Sequence, residues 1–502
     1  MYYAPLQSDF ALIHQQTKDI YIKVDLLDKT FKIKESFDGN LISDNLTVNS
    51  QSRQRRKYDC ELHVSNASFL VGKNSNIWID KYIRVYYGIK NVRTKEIHYF
   101  LLGTFSYQSV DYKYNATTNT LNLSCPDLMA DYDGTKNGQV SAYEFRIPAG
   151  EDIRTTVVRI LTEYEKSENG ENEEDEENKK NKFGMQLTRY YVEDIGKEIP
   201  YDLEFSGNYT YCDILEKICT LYDSWEFYFD VDGTFIWKKT PTGLTEPVVM
   251  DDSFLSKIWI DEQSSYDFTG IYNKTEVWGK VLELEHDDRY ANFSTYSDGV
   301  YSITLDNITE YDEINHLDQI GIKISANNEE GAKVNINGLG ELSIYNDDGS
   351  VIKANRMQAD QTYVFSYRRN HGLNKENCLY ILGQYQCYGV YIENNPDCPF
   401  SVENLGYEIL NKQTYDQLYS DDLCYNQAEY LTYQSTALLD TVKLELLIVP
   451  WLDVNQKIEY VKKQSGESNQ YIIKDFSWSS LGGTMSMTIY KFLESFEYVK
   501  KK

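Results

Sequence analysis

The alternation in Asp19-Ile20-Tyr21-Ile22-Lys23-Val24-Asp25 constrains this chain most. Apolar and polar side chains change place at every step, the period of a strand with one dry and one wet face. Tyr82-Ile83-Arg84-Val85-Tyr86-Tyr87 and Thr120-Leu121-Asn122-Leu123-Ser124 repeat it. Tyrosine carries much of the pattern, with 44 Tyr in 502 residues. Its ring covers a half-buried pleat while the hydroxyl stays wet. Asp38-Gly39-Asn40 and Asn115-Ala116-Thr117-Thr118-Asn119 supply turn chemistry between the runs. The expected fold is mainly β with a few helices, divided among several domains on grounds of length.

The helices announce themselves by a change of period. Asp152 precedes Ile153, Val157, Ile160 and Leu161, and Thr210 is placed to cap a helix bearing Ile214, Leu215, Ile218 and Leu221. A third helix is expected from Asp421 to Ala437, capped by Asp421 or Asp422, with Leu423, Ala428, Leu431 and Tyr433 apolar. Trp225-Glu226-Phe227-Tyr228-Phe229 and Thr234-Phe235-Ile236-Trp237 flank Asp230-Val231-Asp232-Gly233. That is a hairpin turn rather than a calcium loop, since the later ligands are missing. The run Lys166–Lys182 holds seven acids and no apolar residue, and is expected to be a disordered insertion. The strands close the chain at Thr441–Val449, Lys457–Val461, Tyr471–Trp478 and Thr484–Tyr490.

Charge and motifs exclude several functions. The net charge of −28 disfavours a non-specific DNA binder and an anionic-membrane binder. No apolar run reaches membrane-span length, and no early segment reads as a cleaved signal. The eight cysteines form no CxxC pair and read as buried free thiols of a reducing compartment. The six histidines include no HExxH, and Glu285-His286-Asp287-Asp288 reads as a solvated loop. No phosphate loop, dinucleotide fingerprint or nucleophile elbow is present. Neither catalytic residues, a cofactor nor a metal site is expected.

An internal echo orders the two ends. Trp78-Ile79-Asp80 leads into strands at Tyr82, Phe100 and Leu121, and Trp451-Leu452-Asp453 leads into strands at Lys457, Tyr471 and Met485. Trp451-Leu452-Asp453-Val454-Asn455-Gln456-Lys457-Ile458-Glu459-Tyr460, Tyr471-Ile472-Ile473-Lys474 and Gly483-Thr484-Met485 resemble tail-tip and hub proteins of phages and prophages of Gram-positive bacteria. So do Ile77-Trp78-Ile79-Asp80-Lys81-Tyr82-Ile83, Leu382-Gly383-Gln384-Tyr385-Gln386 and Asn395-Pro396-Asp397-Cys398-Pro399-Phe400.

The resemblance implies two tube-like β domains per subunit in a homotrimer, forming a pseudo-sixfold ring matched to a hexameric tail tube. It divides the chain into a tube-like domain at 1–147, an α+β domain at 148–250, a β-rich domain at 251–400 and a second tube-like domain at 401–502. The implied partners are further copies of itself, the tail tube or distal tail protein, and other tip or baseplate proteins. DNA would pass transiently without specific binding, and the net charge of −28 leads to the expectation that inward acids would repel it. The implied place is the virion, after assembly in the bacterial cytoplasm. Relatives often carry a cell-wall-cleaving or receptor-binding extension, and none is expected after Lys502. Trp78, Asp80, Trp451 and Asp453 are expected to shape equivalent turns of the two ring domains. The competing expectation is a module that binds or degrades cell-wall glycan, with Trp and Tyr stacking on sugars.

Overall fold

The computed structural model describes residues 5–38, 41–63, 77–114, 119–140, 144–162, 164–165, 182–222, 225–240, 246–266, 268–282, 289–372, 376–436 and 440–492. The acidic run at 166–181, Glu285 to Asp288, and the tips at 39–40 and 115–118 lie outside them. The architecture is mainly β, in several sheets with short helices.

The two ends of the chain make one sandwich. Its smaller layer is an antiparallel sheet in the order Ile33–Asp38, Ile20–Leu27, Tyr82–Lys90, Ile97–Phe105. The larger layer runs Trp259–Tyr266, Asp440–Leu447, Thr484–Lys491, Ser468–Trp478, Leu41–Asn49, Arg56–His63, Asn119–Pro126, Ser109–Tyr114. Lys457–Val461 branches from Ser468–Trp478 and lies parallel to Val248–Met250. The ends meet where Leu41–Asn49 pairs antiparallel with Ser468–Trp478, placing Leu46 opposite Trp478 and Val48 opposite Phe476. One buried core contains Val24, Val85 and Leu102 of the small layer with Leu46, Ile473 and Met487 of the large one. Buried Asp44 accepts hydrogen bonds from Tyr58 Oη (3.1 Å), the Ser480 amide (2.7 Å) and Ser480 Oγ (2.5 Å), tying the same two ends.

An αβ unit has its own core from Leu128 to Trp237. Helix Ile153–Leu161 is capped by Asp152, and helix Tyr211–Cys219 by Thr210 in a capping box with Asp213. In the hairpin Trp225–Phe229/Phe235–Lys239 the turn closes from the Gly233 amide to the Asp230 carbonyl (3.0 Å). The turn carboxylates of Asp230 and Asp232 accept from the amides of Val231 and Thr234, as in a plain turn. A middle unit is an eight-stranded sheet between Tyr290 and Gly383.

The last unit sets Lys274–Val281 between Gln386–Ile392 and Leu410–Thr414, under helix Asp421–Thr436. Two details of that helix differ from the sequence reading. Its cap is Ser420, whose Oγ accepts from the Leu423 amide (3.2 Å), and Asp421 and Asp422 sit in the first turn. Its fully buried stripe is Ala428, which the sequence offered, with the small residues Cys424, Thr432 and Thr436, while Leu423 and Leu431 pack half-buried against the core. A Cβ on Gly389 would lie 2.1 Å from the Tyr425 amide nitrogen, so only a stripe of small side chains lets the helix approach this closely. Residues 246–266 join the terminal sandwich, and 410–436 pack with Lys274–Leu282.

Candidate functional site

Three segments of the chain, two from the terminal sandwich and one from the αβ unit, meet at one buried cluster of charges, and Asp453 is part of it. Arg55 and Arg56 sit where the turn after Leu41–Asn49 enters the next strand. Arg56 donates to Asp453 Oδ2 (2.5 Å) and to the carbonyl of Phe229 (2.9 Å). Arg55 donates to the carbonyl of Val454 (2.8 Å), approaches Glu226 at 3.4 Å, and lies 3.7 Å over the ring of Tyr228. Asn455 closes the circle by donating to Glu226 (2.5 Å). Thus the N-terminal strands, the αβ hairpin and the C-terminal turn hold one another through hydrogen-bonded ions. Outside the cluster, Arg53 bonds Asp213 (2.8 Å) and Glu216 (2.6 Å) of the αβ helix.

Burial favours the neutral form of a carboxyl, whereas a neighbouring cation favours the charged form. Both effects act on Asp453, and there the cations win: burial pushes up, but Arg56 and Arg55 hold the carboxyl below its usual range. On the other side of Arg56, burial dominates and pushes Asp127 up to about 6. Asp127 still accepts the amides of Met129 (2.9 Å) and Arg56 (3.3 Å).

Beside the cluster is a cavity of about 290 Å³, walled by Leu46, Phe100, Leu102, Trp451, Phe476 and Trp478. Trp451 meets Phe10 and Phe100 at ring distances of 5.5 Å. The indole nitrogens of Trp451 and Trp478 have no hydrogen-bond partner among the described residues.

The other turn of the sequence echo has a different character. Trp78 is 37% exposed, and Asp80 pairs at the surface with its neighbour Lys81 (2.7 Å). The strand after it lies in the small layer, whereas the strand after Asp453 lies in the large one. The structure therefore does not bring Trp78 and Asp80 together with Trp451 and Asp453. Sequence reasoning missed Arg55 and Arg56, although Arg53-Gln54-Arg55-Arg56-Lys57 puts four cations into five residues of an acidic chain. All eight cysteines are free, six of them buried. Among the described residues no helix is long and apolar enough to cross a membrane.

Residues 397–496 match a family described as a domain of unknown function (DUF5048). No curated protein matches. The structure is similar over nearly its whole length to prophage tail proteins. It resembles the 43 kDa tail protein of prophage MuSo2 from Shewanella oneidensis at 8% identity and TM-score 0.48, over 94% of this chain and 98% of that one. It resembles the tail protein of Neisseria meningitidis MC58 at 6% identity and TM-score 0.49, over 95% and 98%. Prophage tail protein gp18 of Listeria monocytogenes EGD-e gives 9% identity and TM-score 0.42, over 96% and 97%. At such identities these are likenesses of fold.

Proposed function

We propose that this chain is a structural protein of a phage tail, forming a homotrimeric hub or tip ring between the distal tail tube and the baseplate. The observation that carries the reading is the open ten-stranded sheet built from both ends of the chain. Its terminal strands Ser109–Tyr114 and Trp259–Tyr266 each pair on one side only among the described residues. Unpaired strand edges template further pairing and need cover. Ser109–Tyr114 also exposes Tyr112 and Tyr114, side chains suited to an interface with wet and dry portions. Head-to-tail contact of unlike edges generates a ring when the rotation closes. The sequence resemblance at both ends supports the same assignment. The buried ion cluster would keep the sandwich and αβ unit rigid, so that the edges are presented in fixed register.

The test is the mass in solution by light scattering across a concentration series. The reading expects three times 58.6 kDa, or a monomer that moves to that mass as concentration rises. A monomer at every concentration counts against a self-assembling ring.

A further inference from the structure

A second junction joins the αβ unit to the middle sheet, and its chemistry differs from the first. Glu198, His316 and His371 each bring one possible ligand atom within 4.8 Å of the others. Glu198 and His316 are 3.0 Å apart, and Glu198 and His371 3.9 Å. A tetrahedral ion bound at about 2.0–2.2 Å to each donor sets its ligands roughly 3.4 Å apart. The two spacings bracket that value.

The backbone holds these side chains in place. Around Glu198, the Ile153 amide donates to the Lys197 carbonyl (3.1 Å) and the Ile199 amide to the Glu151 carbonyl (2.8 Å). The Glu198 carbonyl itself accepts from Tyr222 Oη (2.9 Å). His316 precedes Leu317, a non-glycine residue at φ 74°, whose amide donates to the Tyr367 carbonyl (2.7 Å). His371 follows Asn370, at φ 57°. Both histidines thus flank left-handed residues that turn the chain toward the cluster.

His371 has the arrangement a metal ligand needs. Its Nδ1–H donates to the Arg369 carbonyl (2.7 Å), so in the neutral ring the lone pair is on Nε2, the atom 3.9 Å from Glu198. His316 is set differently. Its Nδ1 accepts from the Arg369 amide (3.0 Å), so the ring proton is on Nε2 and points at Glu198. For an ion to bind Nε2 that proton must move to Nδ1, where the Arg369 amide donates, so this hydrogen bond has to break. The proton count of a neutral ring is unchanged. Glu198 and His371 can meet an ion without losing a backbone hydrogen bond, and His316 is the ligand whose engagement costs one. The side chains of Glu198 and His371 are 36% and 38% exposed, which gives an ion an entry path and room for a water as fourth ligand.

We propose that Glu198, His316 and His371 bind one divalent ion of the zinc class, which staples the αβ unit to the middle sheet. Two imidazoles and one carboxylate suit a borderline metal better than calcium or magnesium, which take all-oxygen shells. The inference does not rest on the tail assignment.

The experiment uses the full chain, stripped with chelator and titrated with ZnCl2 by calorimetry, then with CoCl2 as a spectroscopic probe. The expected result is one ion per chain, the intense visible bands of four-coordinate Co2+, and a raised melting midpoint. Glu198→Gln and His371→Ala should each weaken binding on the order of 10–100-fold or more, and should remove the thermal shift. His63→Ala, away from the cluster, should change neither. Glu198→Gln keeps the side-chain shape and His371→Ala trims a partly exposed ring, so misfolding of one variant leaves the other to decide. The proposal is overturned by absent binding, by binding that survives both variants, or by an ion that binds without raising the midpoint.

Discussion

At the scale of single residues, Arg56 lies between two carboxyls that titrate in opposite senses. Asp453 is held below its usual range, so its stabilisation is complete above the unfolded value near ~3.9 and fades as pH falls through the lower folded value. Asp127 is raised to about 6, so its contribution is complete below ~3.9 and is lost as pH rises through about 6. Asp453→Asn leaves Arg56 buried without its counter-charge and should cost about 3–5 kcal/mol at pH 7 by urea denaturation. Asp127→Asn should instead remove the part of the pH dependence that favours acid, lowering stability at about pH 4.5 relative to pH 7 when compared with wild type. Equal pH slopes in wild type and Asp127→Asn would refute the assignment. The sequence drew notice to Asp453 through the Trp451-Leu452-Asp453 turn, yet its partner is separated from it by 397 positions and has no local signature. Glu198, His316 and His371 were missed for the same reason, since no short spacing joins them.

At the scale of elements, local chemistry was legible and close packing was not. Thr210 and the Asp230-Val231-Asp232-Gly233 turn act as their sequence spacing predicts, because caps and turns are decided within a few residues, and Asp152 caps its helix where the sequence suggested acids inside the first turn. The helix Asp421–Thr436 is also where expected, and of the apolar positions named from the sequence Ala428 is buried while Leu423 and Leu431 pack half-buried against the core. Cys424, Thr432 and Thr436 complete the buried stripe unannounced by the sequence, because the sheet beneath selects small residues through Gly279 and Gly389. A Cβ on Gly389 would meet the helix backbone at 2.1 to 2.5 Å, and backbone cannot rotate aside. Gly389→Ala should therefore push the helix off the sheet and lower stability by about 1–3 kcal/mol or more. Gly270→Ala, where an added Cβ meets nothing within 4 Å, should stay within about 0.5 kcal/mol of wild type. Thermal melts of the two variants side by side check this, and equal midpoints would show that the close approach is not a real constraint.

At the scale of the whole molecule, the sequence echo pointed to two related ends, and the structure shows the ends fused through Leu46–Trp478 and Val48–Phe476 pairing. Pairing between strands so far apart is set by the completed core rather than by any local pattern, so the register could not be read in advance. The same assembly bears on how copies would associate. Each chain carries a net charge of −28, so bringing chains together meets repulsion. The basic run that could offset it is engaged internally: Arg53 with Asp213 and Glu216, Arg55 with Glu226, Arg56 with Asp453, and Lys57 with Asp59. Contacts available to a ring are then strand edges and tyrosines, which do not weaken when charges are screened. Raising salt from about 0.05 M to about 0.5 M cuts the Debye length to roughly 4 Å and removes most of the repulsion between exposed charges. Association should therefore strengthen, with the transition to the larger mass moving to lower protein concentration in sedimentation at the higher salt. Weaker association at high salt would mean that ion pairs between subunits hold the ring, and that the exposed strand edges and tyrosines are not its main joints.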